Sequence, residues 1–512
     1  MSTALNTLNV LRERSGTANT EGLPDDVIER FAGLDPDLGM VIERAAARRE
    51  ALEAEFGEAI RGSEADLIVA LQQGYLNFYA PETVNPFVPL AAQGPWLVTS
   101  HGAVLHDSGG YGMLGFGHAP NDVLDAMSAP SVMANIMTPA FSQARLMDRL
   151  RAEIGHARTD GCPFHKFVFL NSGSESVTLA LRIADVSAML QTAPGARHEG
   201  ATVKMLVQQR AFHGRTDRPA QASDSSRGKY LANLASFADR DNLIVVPPND
   251  VAALREAFAT AEADGVFIEA MLLEPVQGEG APGKASSRAF YDAARALTLA
   301  HGSMLIIDSI QAGMRAHGTL SVVDYPGFED ADAPDMETYS KALNGGQFPL
   351  SVLALSERAA AMYVKGLYGN TMTTNPRALD VACATLDRLT PEVRANIRAR
   401  GAQLVDALLD LKAQFPHAVL SVTGTGLLCA AELDPEAFPV VGFDGLETWC
   451  RRHGLGIIHG GKNALRLTPH FDLTLDEVGL IIDVIRDGLK AFTSRNALAT
   501  AERVREPTHA SP

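Results

Sequence analysis

A lysine stands shortly before a glycine pair in Tyr339-Ser340-Lys341-Ala342-Leu343-Asn344-Gly345-Gly346, a stretch with no other charge. A lysine drawn partly out of water has its neutral amine favoured, which is the form that Schiff-base chemistry uses; the bland alternative is a surface lysine at a strand end. Asp308 closes the apolar run Met304–Ile307. At the C-terminal end of a buried strand an acid can pair with a protonated ring nitrogen, or it can simply cap a turn. Gln311, three residues on, can reach a ring hydroxyl from the same turn. Asn171-Ser172-Gly173-Ser174-Glu175 is a small, glycine-containing turn between a strand pattern and a helix pattern. Free N–H groups there suit a phosphate; otherwise it is an ordinary turn with Ser174 as N-cap. In Ala211-Phe212-His213-Gly214, Phe212 offers an aromatic face for a flat ring. His213 joins the candidate cofactor contacts, although a loop histidine is as readily structural. Glu274 and Glu279, in Leu273–Gly280, either orient a site or cap a turn.

These residues need a frame. Between about 165 and 356, short apolar runs alternate with helical patterns: Phe167–Leu170, Lys204–Val207, Leu243–Val246, Ala270–Leu273, Met304–Ile307 and Ser351–Leu355. Nearly continuous apolar runs suit strands buried on both faces. The alternation predicts an α/β fold with a mostly parallel sheet covered by helices such as Val177–Leu190 and Arg288–Ala300. After about 385 the texture becomes α+β. An amphipathic helix (Pro391–Phe415) precedes strands at Ala418–Val422 and Gly426–Glu432. A last helix follows Thr474, which makes a capping-box pattern with Glu477. Residues 1–22 are expected to be disordered, and Asp25–Ile60 to be helical. Gly74–Pro95, rich in Pro, Gly, Asn and aromatics, reads as an irregular segment able to line a site. The expected divisions are an N-terminal extension (1–65), a segment lining the site (66–115), a large domain (116–385), a small C-terminal domain (386–495) and a polar tail (496–512).

The chain has 512 residues, 46% of them hydrophobic, enough for large cores. Its net charge of −17, without basic runs, argues against nucleic-acid and anionic-membrane partners. No apolar stretch is long enough to span a bilayer, and the N-terminus lacks the order of a secretory signal. The four cysteines are scattered and show no metal-binding spacing. No metal is expected, and a cytoplasmic setting is.

In this order and combination, from about Pro86 to Leu489, the motifs resemble the class III aminotransferases, subgroup II of the fold-type I pyridoxal-phosphate enzymes. The resemblance implies a seven-stranded, mostly parallel sheet, a smaller α+β domain and pyridoxal 5′-phosphate as cofactor. Lys341 would be the Schiff-base lysine and proton shuttle, Asp308 the partner of the ring nitrogen, and Gln311 the neighbour of the ring hydroxyl. Gly173 and Ser174 would hold the phosphate, and Phe212 would stack on the ring. Thr371, in Tyr368-Gly-Asn-Thr-Met-Thr-Thr-Asn-Pro376, looks like the threonine that reaches the phosphate of a neighbouring subunit, implying a homodimer with shared sites. Arg466 resembles the arginine that grips a substrate carboxylate, Tyr111 a substrate-gating tyrosine, and Glu279 an acid that can pair with and mask that arginine. The implied activity moves an amino group between an amine or ω-amino acid and an oxo acid. Racemase or epimerase, aminomutase and decarboxylase chemistry are the alternatives on the same scaffold. The chain departs from the family's Asp-Glu-Val-Gln-Thr-Gly at Asp308-Ser309-Ile310-Gln311-Ala312-Gly313, and Thr373-Thr374 replaces a usual glycine pair. His459, Lys462 and His470 lie near Arg466 in sequence and are expected chiefly at the surface.

Overall fold

Seven strands form the central sheet of the computed structural model, which describes residues 2–132, 136–238 and 240–505, with side chains to residue 498. Across the sheet they run Lys166–Leu170, Ser351–Leu355, Met336–Tyr339, Met304–Asp308, Val266–Leu273, Thr202–Gln208 and Leu243–Val246. Ser351–Leu355 alone runs against its two neighbours; the remaining pairs are parallel. Met304–Asp308, Met336–Tyr339 and Ser351–Leu355 are buried at every position. Helix Gly173–Gln191 packs on one face, while Val251–Ala263 and Arg288–His301 cover the other. The fold is therefore α/β, as expected.

Six of the seven strands coincide with apolar runs. Met336–Tyr339 shows no such run, because Glu337 and Thr338 occupy its centre. Their polar atoms are satisfied inside the fold. Ser309 Oγ donates to Glu337 Oε1 (2.6 Å), Ser321 Oγ to Oε2 (2.5 Å) and Val322 N to Oε1 (2.9 Å). A buried carboxylate with these partners is tolerated where a bare one would not be.

The C-terminal part carries an antiparallel sheet ordered Val419–Thr425, Leu428–Leu433, Ala464–Leu467 and Ile458–Gly460. A second sheet joins the two ends of the chain: Pro89–Gln93, Trp96–Thr99 and Val104–Asp107, with Leu455–Gly456 parallel to the last. The final helix, Leu475–Arg505, starts with the expected capping box: Glu477 N donates to Thr474 Oγ1 (3.2 Å) and Thr474 N to Glu477 Oε2 (2.6 Å). It continues past 495 into the stretch expected as a polar tail; residues 506–512 lie outside the described residues.

The expectation of disorder over residues 1–22 is corrected. Thr3–Glu13 is a helix with Leu5, Leu8 and Leu11 buried. Three leucines at three-residue steps make a stripe, and that stripe packs on the Pro36–Phe56 helix. A polar composition hid it, because only burial against a distant segment makes so short a helix worthwhile. Arg49 ties the arrangement together: its guanidinium, 1% exposed, donates to the carbonyls of Ile60 (2.7 Å), Ser100 (3.2 Å) and Arg14 (3.0 Å).

Candidate active site

Parallel strands bring their C-terminal ends to one edge of the sheet, where the following turns open a crevice. Asp308 ends one strand there, and Glu274, the Phe212 segment, Gly173 and Lys341 follow four others. Chain positions from 173 to 341 thereby converge.

Lys341 opens a short 3₁₀ turn with φ +47°, left-handed backbone that residues other than glycine rarely adopt. Gly345 closes the turn, also at positive φ. The Lys341 amine lies 3.5 Å from Gln311 Oε1. Burial, and then the positive charge of Arg466, lower its proton affinity, against the opposing pull of Asp308, Glu279 and Glu274. Asp308 Oδ2 meets His213 Nδ1 at 2.8 Å, and its Oδ1 accepts from Ile310 N (3.1 Å) and Thr338 Oγ1 (3.4 Å). His213 is thus a buried partner of the acid rather than a solvated loop residue.

Glu274 is structural here. Its carboxyl accepts from Phe212 N and from Gly278 N, each at 2.9 Å, and burial pushes its pKa up to about 7. Gly278 O in turn accepts from Arg466 (2.8 Å), so one buried acid sets both the Phe212 segment and the turn that braces the arginine. Arg466 is buried, with its guanidinium 5.8 Å from the Tyr111 ring centre. The ion pair that Glu279 makes is with Arg215 (3.8 Å); the expected pairing with Arg466 is not the one formed. Arg215 also lies over Phe212, at 5.3 Å from the ring centre.

Gly173 and Ser174 occupy the first turn of helix Gly173–Gln191. The N-cap is Ser172, whose side chain accepts from Glu175 N, so the alternative reading of Ser174 as cap is corrected. The cap must be the last extended residue, and at Ser172 φ is −149°. Thr371 is exposed. Its loop is tied to the same helix: Tyr368 Oη and Asn370 Nδ2 both donate to Glu175 Oε1. Of the three residues near Arg466 in sequence, His470 is buried and bonded to Glu477, and His459 pairs with Glu447 at 2.9 Å.

Several contacts had no counterpart in the sequence reading. Tyr79 lies 5.8 Å, ring to ring, from Tyr111; its only advance sign was its place in the aromatic-rich Gly74–Pro95 stretch. Both tyrosines and Arg451 line a cavity of about 380 Å³. Thr338 and Glu337, which brace Asp308 and Ser309, carried no signal at all. Gly112 and Gly278 let the backbone pack close to Gln311: a Cβ at Gly112 would sit 3.3 Å from Gln311 Cγ, and one at Gly278 would collide with Gln311 Oε1 at 2.1 Å.

The crevice fits a flat heteroaromatic aldehyde bearing a phosphate. Two buried polar atoms, His213 Nε2 and Gln311 Nε2, have no protein partner. The first N–H groups of helix Gly173–Gln191 have no acceptor within their own helix and suit an anion. Asp308 can hold a ring N–H, and the amine of Lys341 can bond an aldehyde.

Residues 78–489 match the family described as Aminotransferase class-III. The chain is 31% identical over 451 residues to an acetylornithine aminotransferase of Xanthomonas axonopodis pv. citri, covering 86% of this chain and 99% of that protein. It is 29% identical over 408 residues to an acetylornithine/succinyldiaminopimelate aminotransferase of Yersinia pestis, covering 79% and 93%. Among solved structures, an ornithine aminotransferase from Toxoplasma gondii superposes with a TM-score of 0.72 at 22% identity, covering 87% and 98%. An (S)-enantioselective omega-transaminase from Thermomicrobium roseum does so with 0.69 at 21% identity, covering 84% and 98%.

Proposed function

Because the chain belongs to the class-III aminotransferase family, we propose that it moves an amino group between an ω-amino acid or amine and an oxo acid, with pyridoxal 5′-phosphate as cofactor. One observation carries this reading: a half-buried lysine of lowered proton affinity, an acid aimed from a strand end and an unpartnered amide donor meet in one crevice. When bound, the cofactor supplies an aldehyde that takes up amines and a cationic ring that draws electrons from the carbon beside the nitrogen.

The protein's own part follows from its side chains. Lys341 Nζ anchors the aldehyde at rest and moves the proton to and from the substrate's amine-bearing carbon. Its lowered proton affinity leaves more of the neutral amine available for that work. Asp308 keeps the proton on the ring nitrogen, and His213 orients Asp308. Gln311 Nε2 donates to the ring hydroxyl oxygen, Phe212 covers the ring, and the N–H groups of Gly173 and Ser174 hold the phosphate. Arg466 binds a substrate carboxylate, with Tyr111 and Tyr79 shaping its approach. The relatives named for acetylornithine make amino acids with a distal amine the first substrates to try.

Thr371 serves the phosphate bound by a second copy of the chain, so the enzyme is a homodimer. Its exposure, together with that of Met372 (57%) and Phe141 (86%), supports this reading. With a net charge of −17 and no described helix able to cross a membrane, we take the partners to be small molecules in the cytoplasm.

The test is a panel of amines and ω-amino acids offered to the holoenzyme with one dicarboxylic oxo acid. Amine-dependent loss of the near-visible cofactor band, restored by the oxo acid, is expected. The reading fails if no amine bleaches the band, or if the amine is isomerised, racemised or decarboxylated over many turnovers while the oxo acid is never aminated.

A further inference from the structure

A cavity of about 890 Å³ lies apart from the Lys341 crevice, and no residue given a role toward the cofactor or substrate lines it. Its walls carry Asp35, Asp37, Asp122, Asp472 and Asp476 with one arginine, Arg388, which pairs with Asp122 and Asp472. Two buried side chains, His470 and Glu477, also line it, and His106 packs against them. Glu477 Oε1 lies 3.0 Å from His470 Nε2 and 3.3 Å from His106 Nε2. All three candidate ligand atoms fall within 4.8 Å of one another. The side chains are 0%, 7% and 5% exposed for His106, His470 and Glu477.

Both separations are hydrogen-bond distances, and they are also compatible with neighbouring ligands of one ion. Tetrahedral bonds of about 2.0–2.1 Å place neighbouring ligand atoms about 3.3 Å apart. The supporting contacts are also those of a metal site. His106 Nδ1 meets Ser108 Oγ at 3.0 Å, which fixes the ring and leaves Nε2 for the metal. Glu477 Oε2 is committed to Thr474 N (2.6 Å), which turns Oε1 toward the two imidazoles. The ligands come from three places: strand Val104–Asp107, the turn after Ala464–Leu467 and the first turn of the final helix. Carboxylates around the cavity raise the local concentration of cations. Histidine nitrogens with one carboxylate suit a borderline divalent ion such as Zn²⁺, rather than Ca²⁺ or Mg²⁺.

We propose that His106, His470 and Glu477 form a binding site for a divalent transition metal of the zinc type. Bound there, the ion clamps the final helix and the turn beyond Arg466 to the N-terminal sheet. Neither end of that clamp depends on the chemistry assigned to Lys341.

The experiment uses the holoenzyme after exhaustive dialysis against a chelator. Co²⁺ is titrated in, and the visible d–d bands are read to the red of the cofactor. One equivalent per chain, with the intensity of a four- or five-coordinate ion, is expected. Trp96, edge-on to His106 with ring centres 5.2 Å apart, is a built-in reporter whose fluorescence Co²⁺ should quench. Zn²⁺ competed against a chromophoric chelator should lose at least tenfold in affinity in His470→Gln and in Glu477→Gln. Circular dichroism and the cofactor band show whether each variant is folded. If neither folds, the wild-type stoichiometry and Trp96 quenching still decide. A second His/Glu group among the described residues, His198, Glu262 and His301, is the control: His301→Gln should leave the stoichiometry unchanged. Failure of the wild type to compete with the chelator would overturn the proposal and leave a triad that shares protons only. So would metal retained at full affinity by folded His470→Gln protein, or lost from His301→Gln.

Discussion

Lys341 is held in left-handed backbone, at a cost on the order of 1–2 kcal/mol for a non-glycine residue. Strain of this kind persists where the surroundings over-determine a position, as they do between Ser340 Oγ, bonded to Leu350 O (2.7 Å), and Gly345. Lys341→Ala should abolish the near-visible cofactor band and lower kcat by roughly 10²–10⁴, the usual contribution of a positioned acid–base group; absorbance and amine–oxo acid turnover measure the two effects. Arg466→Lys should act differently. A point charge replaces the planar fork, and Gly278 O loses its present donor. We expect KM for a carboxylate-bearing substrate to rise about 10-fold or more, with kcat changed far less, and KM for a plain amine to stay near its wild-type value. Lys341, Asp308 and Gln311 were legible because each sits in a short motif at a strand end. The bond between Asp308 and His213 was not, since 95 residues separate them and no local pattern links them.

At the scale of elements, strand Met336–Tyr339 is the instructive one. Where relatives carry an acid beside the strand-end aspartate, this chain has Ser309, and Ser309 bonds to Glu337 on the next strand. Burial pushes the Glu337 pKa up to about 7, despite the hydrogen bonds it accepts from Ser309, Ser321 and Val322. A carboxyl whose folded pKa exceeds its unfolded value of about 4.5 favours the fold while protonated. That contribution is complete below about pH 4.5 and is lost as pH rises through about 7. Glu337→Gln keeps a neutral side chain of the same shape. Its melting temperature relative to wild type should therefore climb as pH is raised from about 5 to about 8; a gap that stays flat or narrows would show that Glu337 is already ionised in the fold. Periodicity revealed the other six strands because their buried faces are apolar. It missed this one because hydrogen bonds, not apolar side chains, make it compatible with the interior.

Over the whole molecule, the N-terminal extension is part of the folded body. Leu8 is fully buried, and the Thr3–Glu13 helix holds its place through Arg12 Nε to Gly102 O (3.1 Å) as well as through its leucines. Leu8→Ala should cost about 2–5 kcal/mol in denaturant unfolding, the range for a truncated core leucine, whereas a disordered segment would give no change. Assembly belongs to this scale too. If Thr371 serves a neighbour's phosphate, Thr371→Ala should weaken cofactor retention by about tenfold, the loss expected for one hydrogen bond to a charged group. Mixing it with Lys341→Ala chains should then give hybrid dimers in which the intact lysine faces the intact threonine in one of the two sites; cofactor release rates read this directly.

The amino-acid order alone determined the alternation of strands and helices, the capping of the final helix and the small motifs at the strand ends, because each is written within a few neighbouring positions. Tertiary structure alone decided that Glu279 turns to Arg215, that residues 3–13 fold, that Glu337 stands beside Ser309, and that His106 meets a carboxylate 371 residues away. Such pairings arise from how separate elements pack. Their stability comes from burial and hydrogen bonding between distant segments, which leave no period and no spacing along the chain.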